Sequence, residues 1–299
     1  MVTSPDFDLQ AHSTCSDGEL EPAAVVGRAA AAGVRLLALT DHDTVSGIPE
    51  ALAAAAEHDV RLVPATEISA LDGDDDLHIL GYQVDHTDPG LLAGLADSRA
   101  DREERAGRMI AKLEDLGFRL DREELDRHTA AGASLGRPHL AAAVVGHPGN
   151  RWRLEREGRT EQSAFLEAYL IPGRPAFSGR SRPTMAQAIE MIHEAGGVAI
   201  WAHPFWDIPA PAEVLRRLER FAADGIDGVE GFYTSHTRHQ VRVLHERAWE
   251  LELLITGSAD FHGPNHRRFD RFRAFELYGL EPRLGPIDRV ASEASAAIR

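Results

Sequence analysis

The chain has a single cysteine, Cys15, so no disulfide can form within it and stability must come from packing. It lacks any apolar run of about 18 residues, and no basic segment leading into an apolar one opens it. No membrane association is therefore expected, and a cytoplasmic location follows. Positive charge is also scarce: 32 Lys and Arg stand against 48 Asp and Glu, a formal net charge of -16. A field of that sign repels polyanions, which sets duplex nucleic acid aside and leaves a phosphate-bearing substrate to be held by local groups. What the chain does have is apolar content, 43% over 299 residues, enough for one large core. One α/β barrel carrying an insertion fits this length better than two equal domains.

Strand and helix signals alternate. Phe7 to Leu9 reads as a short strand, and Pro22 stands at a first-turn position before a helix from Ala23 to Ala32 that Gly33 stops. Arg35 to Thr40 reads as a buried strand, Ile48 to Glu57 as a helix, and Val60 to Ala65 and Leu77 to Val84 as strands. The capping box Thr184-Met-Ala-Gln187 opens a helix that runs to Glu194, ahead of a strand from Val198 to Ala202. A helix from Arg216 to Ala223, a strand from Gly228 to Phe232, a helix from Gln240 to Glu250 and a strand from Leu251 to Thr256 complete the series. Repeated βα units imply a parallel sheet.

The stretch from Asp85 to Gly179 breaks this rhythm. It carries a long charged amphipathic helix around Leu91 to Leu116, a helical patch near Glu123, and Gly136-Arg137-Pro138-His139 leading into an Ala/Val helix. It is expected to be a helical insertion (85–179) capping the mouth of a barrel built from 1–84 and 180–299, where such segments exclude water and select substrate. A role only in assembly or stability is the other reading.

Metal-ligand residue types gather just after the strand signals: Gln10-Ala-His12 with Ser16-Asp17-Gly18, Thr40-Asp41-His42-Asp43, Glu67, His203-Pro204 and Asp260-Phe261-His262-Gly263. Side chains at the C-terminal ends of barrel strands converge on one face. Imidazole and carboxylate together are the mixed ligand set that suits Zn, Fe and Mn. Asp41 and Asp43 flank a histidine and serve either as acceptors for imidazoles or as turn formers. The acidic loop Asp72 to Asp76 lacks the spacing of a calcium loop and reads as a solvated turn.

Asp8 to Gly18, Leu39 to Thr44, Ala202-His-Pro204 and Gly257 to Gly263 resemble the polymerase and histidinol phosphatase (PHP) family of metal-dependent phosphoesterases. Gly136-Arg-Pro-His139, Ala195-Gly-Gly197 and Gly228-Val-Glu230 with Ser235-His236 are similar to its nucleotide phosphatase and RNA-trimming exonuclease branch, which carries a helical insertion. The resemblance covers nearly the whole chain. It implies a distorted (β/α)7 barrel holding two or three divalent ions at its C-terminal face. By matching motif, His12, Glu67 and Asp260 would hold the first ion, and Asp17, His42 and His262 the second. Glu67 would bridge to a third, held by His78 and His203. Asp17, Glu67, Asp260 and His236 would be the catalytic residues, and a metal-activated hydroxide the nucleophile, so neither a Ser nor a Cys nucleophile is needed.

Arg137, His139 and His236 would contact substrate phosphate, although an Arg in that place equally ties two elements together by an ion pair. Arg180, Arg182 and Arg238 add positive charge but read equally as surface residues. The departure is Gln10, where the family has the first His of His-x-His. A neutral amide oxygen is a harder, weaker ligand than imidazole and would shift preference from Zn toward Mn or Mg. The implied function is hydrolysis of a phosphomonoester of a small metabolite, foremost a nucleotide or nucleoside 3′,5′-bisphosphate. Trimming of short RNA from the 5′ end and an attenuated metal-binding module are the alternatives.

Overall fold

A computed structural model describes residues 5–73, 75–123, 125–126, 135–179 and 183–289. Arg180, Arg182 and Asp74 lie outside them. The chain divides into two compact units, one of residues 1–96 and 183–299 and one of 97–182.

The first unit is built on a seven-stranded sheet whose spatial order follows the chain: β1 (Phe7–Asp8), β2 (Leu36–Leu39), β3 (Arg61–Asp72), β4 (Asp75–Tyr82), β5 (Val198–Trp201), β6 (Gly228–Tyr233) and β7 (Leu254–Ser258). The sheet curls back on itself. The Leu9 N–H donates to the Gly257 carbonyl at 3.2 Å, and Ala11 bridges Phe261 in parallel, so the last strand returns to the first as in a nearly closed barrel.

The expectation of a wholly parallel sheet is corrected by β4, which runs antiparallel to both β3 and β5. The reason is the connection. Only the tip after Asp72, with Gly73 at φ 64°, separates β3 from β4, and a hairpin that tight reverses the chain, whereas a parallel crossover needs a dozen or so residues. Strand β3 also runs on past Ala65 to Asp72, which places Glu67 inside a strand and not in a loop after one. At the hairpin tip the expected solvated turn is ion-paired: Arg217 reaches Asp72 at 3.0 Å and Asp75 at 2.5 Å, and Arg220 also bonds Asp72.

Helices α1 (Pro22–Ala31) and α2 (Ile48–His58) connect the first strands, and both have a proline in the first turn, where the missing N–H costs nothing. Helix α3 (Pro89–Asp115) follows β4 and continues into the second unit. The second unit adds α4 (Arg137–Val145), α5 (Arg151–Glu157) and α6 (Gln162–Tyr169), and its described residues contain no strand. It has its own apolar centre, with Leu113, Leu140, Val144, Phe165 and Leu170 buried. Asn150 ties its loops: Nδ2 donates to the Arg119 and Val144 carbonyls at 2.7 Å.

The first unit continues with α7 (Met185–Glu194), opened by the Thr184–Gln187 capping box the sequence predicts. Then come α8 (Pro204–Asp207), α9 (Pro211–Ala223) and α10 (Arg238–Glu250). Helix α10 begins two residues before the predicted Gln240 because Thr237 and Gln240 form a second capping box. The core of this unit is the apolar lining of the sheet and the helix faces packed on it: Leu9, Leu37, Leu39, Ile68, Ile79, Trp201, Phe232 and Ile255 are all fully buried. Burial of each such side chain contributes about 1.5–3 kcal/mol. Among the described residues, no helix is long and apolar enough to cross a membrane.

Candidate metal centre

The polar residues of the first unit collect at one end of the strands. After β1 the His12 N–H donates to the Phe261 carbonyl at 2.8 Å, which fixes the imidazole beside Asp260. After β2, His42 bridges Glu67 in parallel. Within the hairpin Ser69 pairs with His78, and since side chains alternate along a strand, Glu67, Ser69 and His78 share one face. His203 follows β5 and Asp260 follows β7. Their backbones sit at φ 24° and φ 56°, a strained region for residues other than glycine that is common where a site dictates geometry.

Glu67 is the hub. Its Oε1 lies 2.7 Å from His78 Nδ1 and 3.0 Å from His203 Nε2, and its Oε2 lies 3.1 Å from His12 Nε2 and 3.6 Å from His42 Nδ1. His12 Nε2 is also 3.1 Å from Asp260 Oδ1. Asp17 stands 3.5 Å from His12, 3.7 Å from His42 and 3.6 Å from His262. Three overlapping groups have the spacing to hold an ion: His12, Glu67 and Asp260; His12, Asp17, His42 and His262; and His42, Glu67 and His78. His203 joins the last through its contact with Glu67.

The donors fit divalent ions on a direct observation. His12 Nε2, His42 Nδ1, His78 Nδ1 and Asp260 Oδ1 are buried without a hydrogen-bond partner. Several of these atoms lie about 3 Å from a carboxylate oxygen yet lack donor–acceptor direction. Buried lone pairs that converge without bonding one another are expensive unless a cation collects them.

Electrostatics follow the same logic. Burial disfavours a charged His203, but contact with Glu67 outweighs this and raises its pKa to about 10. His42, buried with weaker compensation, falls to about 3. Asp260 is lowered to about 2, its burial overcome by His262 and His12, and Glu67 is held well below its ordinary range by the surrounding imidazoles. A bound ion must displace the protons this environment retains.

The loop carrying Asp17 is pinned by Asp41, whose Oδ1 accepts from the Ser13 N–H and the Ser16 hydroxyl and whose Oδ2 accepts from the Ser13 hydroxyl, all at 2.7 Å. Asp43 accepts from the Ser69 N–H at 3.0 Å. Asp41 therefore ties the Asp17 loop to the end of β2, and Asp43 ties the segment after β2 to β3. Tyr233, which sequence reasoning missed, donates its hydroxyl to Asp260 Oδ2 at 2.7 Å. Its signal was an aromatic with a polar tip at the C-terminal end of a strand.

Gln10 is placed differently from a ligand. Its Nε2 donates to Glu67 Oε2 at 2.9 Å, and its Oε1 accepts from the Ser258 hydroxyl at 3.3 Å. Ser258 also bonds Glu230, whose other oxygen accepts from the His203 N–H at 2.9 Å. Burial pushes the Glu230 carboxyl up to about 8, above the ordinary carboxylate range. The Ser258 hydroxyl thus sits between the Glu230 carboxyl and the Gln10 amide, and the Gln10 amide carries the link on to Glu67.

Glu230→Gln supplies the same donor and acceptor and should keep metal affinity within a few-fold, whereas Glu230→Ala should lower it about 10–100-fold. Because the folded pKa is raised from 4.5 to about 8, the folded state holds a proton that the unfolded state loses, and this contribution fades as pH rises through that window. Melting temperatures should therefore show wild type losing stability relative to Glu230→Gln between those pH values. Parallel pH profiles would exclude a protonated Glu230.

His236 is buried, with Nδ1 donating to the Gly231 carbonyl at 3.1 Å and burial lowering its pKa to about 4. With Nδ1 donating, its Nε2 is the free nitrogen, buried and without a hydrogen-bond partner. Arg137 and His139 stand at the start of α4 in the second unit, where His139 Nδ1 accepts from the Gly136 N–H at 3.0 Å.

Comparison with known proteins agrees with this chemistry. The PHP domain model matches residues 8–170. A 5′-3′ exoribonuclease of Haemophilus influenzae is 36% identical over 86% of this chain and 90% of its own. A 3′,5′-nucleoside bisphosphate phosphatase of Chromobacterium violaceum is 32% identical over 87% and 88%. A solved structure from Bifidobacterium adolescentis, assigned as a metal-dependent phosphoesterase, superposes with a TM-score of 0.76 at 26% identity, covering 95% of this chain and 94% of that one.

Proposed function

The chain belongs to the PHP domain family and is a phosphoester hydrolase, and from that premise we propose that it releases phosphate from a nucleoside 3′,5′-bisphosphate or a similar small nucleotide with the help of two or three divalent ions, Mn, Fe or Zn. The observation that carries the reading is the convergence of His12, Asp17, His42, Glu67, His78, His203, Asp260 and His262, among which His12, His42, His78 and Asp260 hold a buried donor atom without a hydrogen-bond partner. When bound, such ions supply Lewis acidity at a phosphoryl oxygen and lower the pKa of water. The protein's part is to hold the donors. Glu67 spans both halves of the cluster, Tyr233 fixes Asp260, and the chain from Glu230 through Gln10 fixes Glu67.

His236 is proposed as an acceptor at Nε2. The proposal that Arg137 and His139 bind substrate phosphate rests on the match of a guanidinium fork to phosphate oxygens. The placement of residues 85–179 as a cap likewise stands as a proposal, supported by the lack of strands among its described residues. Trimming of RNA from its 5′ end is the second reading, favoured by the 36% identity to an exoribonuclease. The acidic balance of -16 favours the small substrate.

The deciding experiment offers the purified protein, with Mn, Fe or Zn added, adenosine 3′,5′-bisphosphate and a short 5′-phosphorylated RNA in parallel. Phosphate release from the first at the higher kcat/KM supports the proposal. Release of mononucleotides from the RNA alone would replace it. Gln10→His tests the departure from the family motif: a new imidazole should tighten Zn binding about tenfold, or roughly 1.4 kcal/mol. The same change removes the acceptor for Ser258 and should cost about 1 kcal/mol of stability. Unchanged Zn affinity in a binding titration would show that residue 10 has no bearing on the ions.

A further inference from the structure

We infer that Trp206 is a stacking platform for the base of a nucleotide whose phosphate lies at the metal centre, an inference that rests on the nucleotide reading above and adds the residue that recognises the base. Three tryptophans among the described residues are exposed, Trp152, Trp206 and Trp249. The Trp249 ring is covered by the Arg283 guanidinium at 3.8 Å and stacked on His245, and Trp152 belongs to the second unit. Of the two in the first unit, Trp206 stands beside the cluster. It lies three residues after His203, with its N–H donating to the His203 carbonyl at 2.8 Å.

The short helix α8 divides its two aromatics between different tasks. Phe205 is buried and meets the His236 ring edge-on at 5.2 Å, which anchors the turn. Trp206 is turned outward and keeps 46% of its surface exposed. Leaving that much aromatic surface in water forgoes the burial that places such side chains inside, and the anchoring of α8 does not require it.

The ring also continues a wall that reaches the ligands. Trp206 is 5.6 Å from Phe269 and 6.4 Å from Tyr233. Phe269 lies 5.5 Å from His262, and Tyr233 donates to Asp260. The Arg268 guanidinium lies over the Trp206 ring, 5.1 Å from its centroid, farther off than Arg283 is from Trp249, and puts a positive charge there. A flat apolar ring, a neighbouring cation and a phosphate-directed metal cluster one side chain away match the three parts of a nucleotide: base, anionic backbone and phosphate.

The test compares wild type, Trp206→Ala and Trp206→Phe on adenosine 3′,5′-bisphosphate and on ribose 5-phosphate, which has no base. The preference for the nucleotide should fall about tenfold in Trp206→Ala, mainly through KM, and Trp206→Phe should restore most of it. Equal losses on both substrates, or an unmoved preference, overturn the assignment. A second measurement does not depend on turnover: adenosine 5′-monophosphate should quench the tryptophan fluorescence of wild type and not of Trp206→Phe. Should neither substrate be hydrolysed, the nucleotide phosphatase reading fails, while the quench still decides whether Trp206 meets a base. An identical quench in both proteins would overturn it.

Discussion

Glu67→Gln should lower kcat/KM for phosphate release by roughly a thousandfold or more and leave the purified protein short of metal. The change is nearly isosteric, so packing is preserved and the effect isolates charge and donor direction. In the native site both oxygens of Glu67 only accept, facing His78 and His203 on one side and His12, His42 and the Gln10 amide on the other. A glutamine must turn an NH2 group toward one of these sets. Toward Oε2 it would meet the Gln10 N–H donor, and toward Oε1 it would meet the His203 Nε2 that donates to that oxygen in the native site. Either orientation removes the anion shared by the donor groups. Elemental analysis of the variant showing wild-type metal content would refute the hub assignment.

Gly18→Ala should weaken metal binding by about 100-fold and cost roughly 3 kcal/mol of stability, although residue 18 is no ligand. A methyl group there would sit 2.3 Å from the His12 carbonyl oxygen and 2.7 Å from the Ser13 nitrogen, both backbone atoms that have little freedom to retreat. His12 is fixed from the other side by its N–H bond to Phe261, and Ser13 by Asp41. The loop from Ser13 to Gly18 must therefore lift, which carries Asp17 away from His12, His42 and His262. Calorimetric titration with Mn, together with thermal melting, measures both parts. Normal Mn affinity with normal stability would mean that this turn tolerates the methyl group and that Asp17 is not held as described.

The ligand types and their order were legible because each sits beside a local signal, such as Thr-Asp-His-Asp after a Leu-rich strand or Asp-Phe-His-Gly after the last one. Strands and helices were legible for the same reason, since periodicity and capping boxes act over a few residues. Strand direction was not. The hydrophobic pattern of β4 is the same whichever way the strand runs, and only the shortness of its connection to β3 makes it antiparallel.

The sequence by itself determined the α/β class, the helical character of the stretch after β4 and most of the candidate donor types, which follow from side-chain chemistry and short-range spacing, while His78 entered only through the resemblance to the PHP family. The tertiary structure alone decided what those donors do to one another. Gln10 meets Glu67 across 57 residues and Ser258 across 248, and His203 meets Glu67 across 136. Such pairings have no local pattern to read, because they exist only once the sheet curls and brings strand ends together. The same curling gave the Gln10 amide its hydrogen bond to Glu67 and buried the carboxyl of Glu230. It also set the Trp206 ring against Phe269, a contact across 63 residues that local sequence does not show.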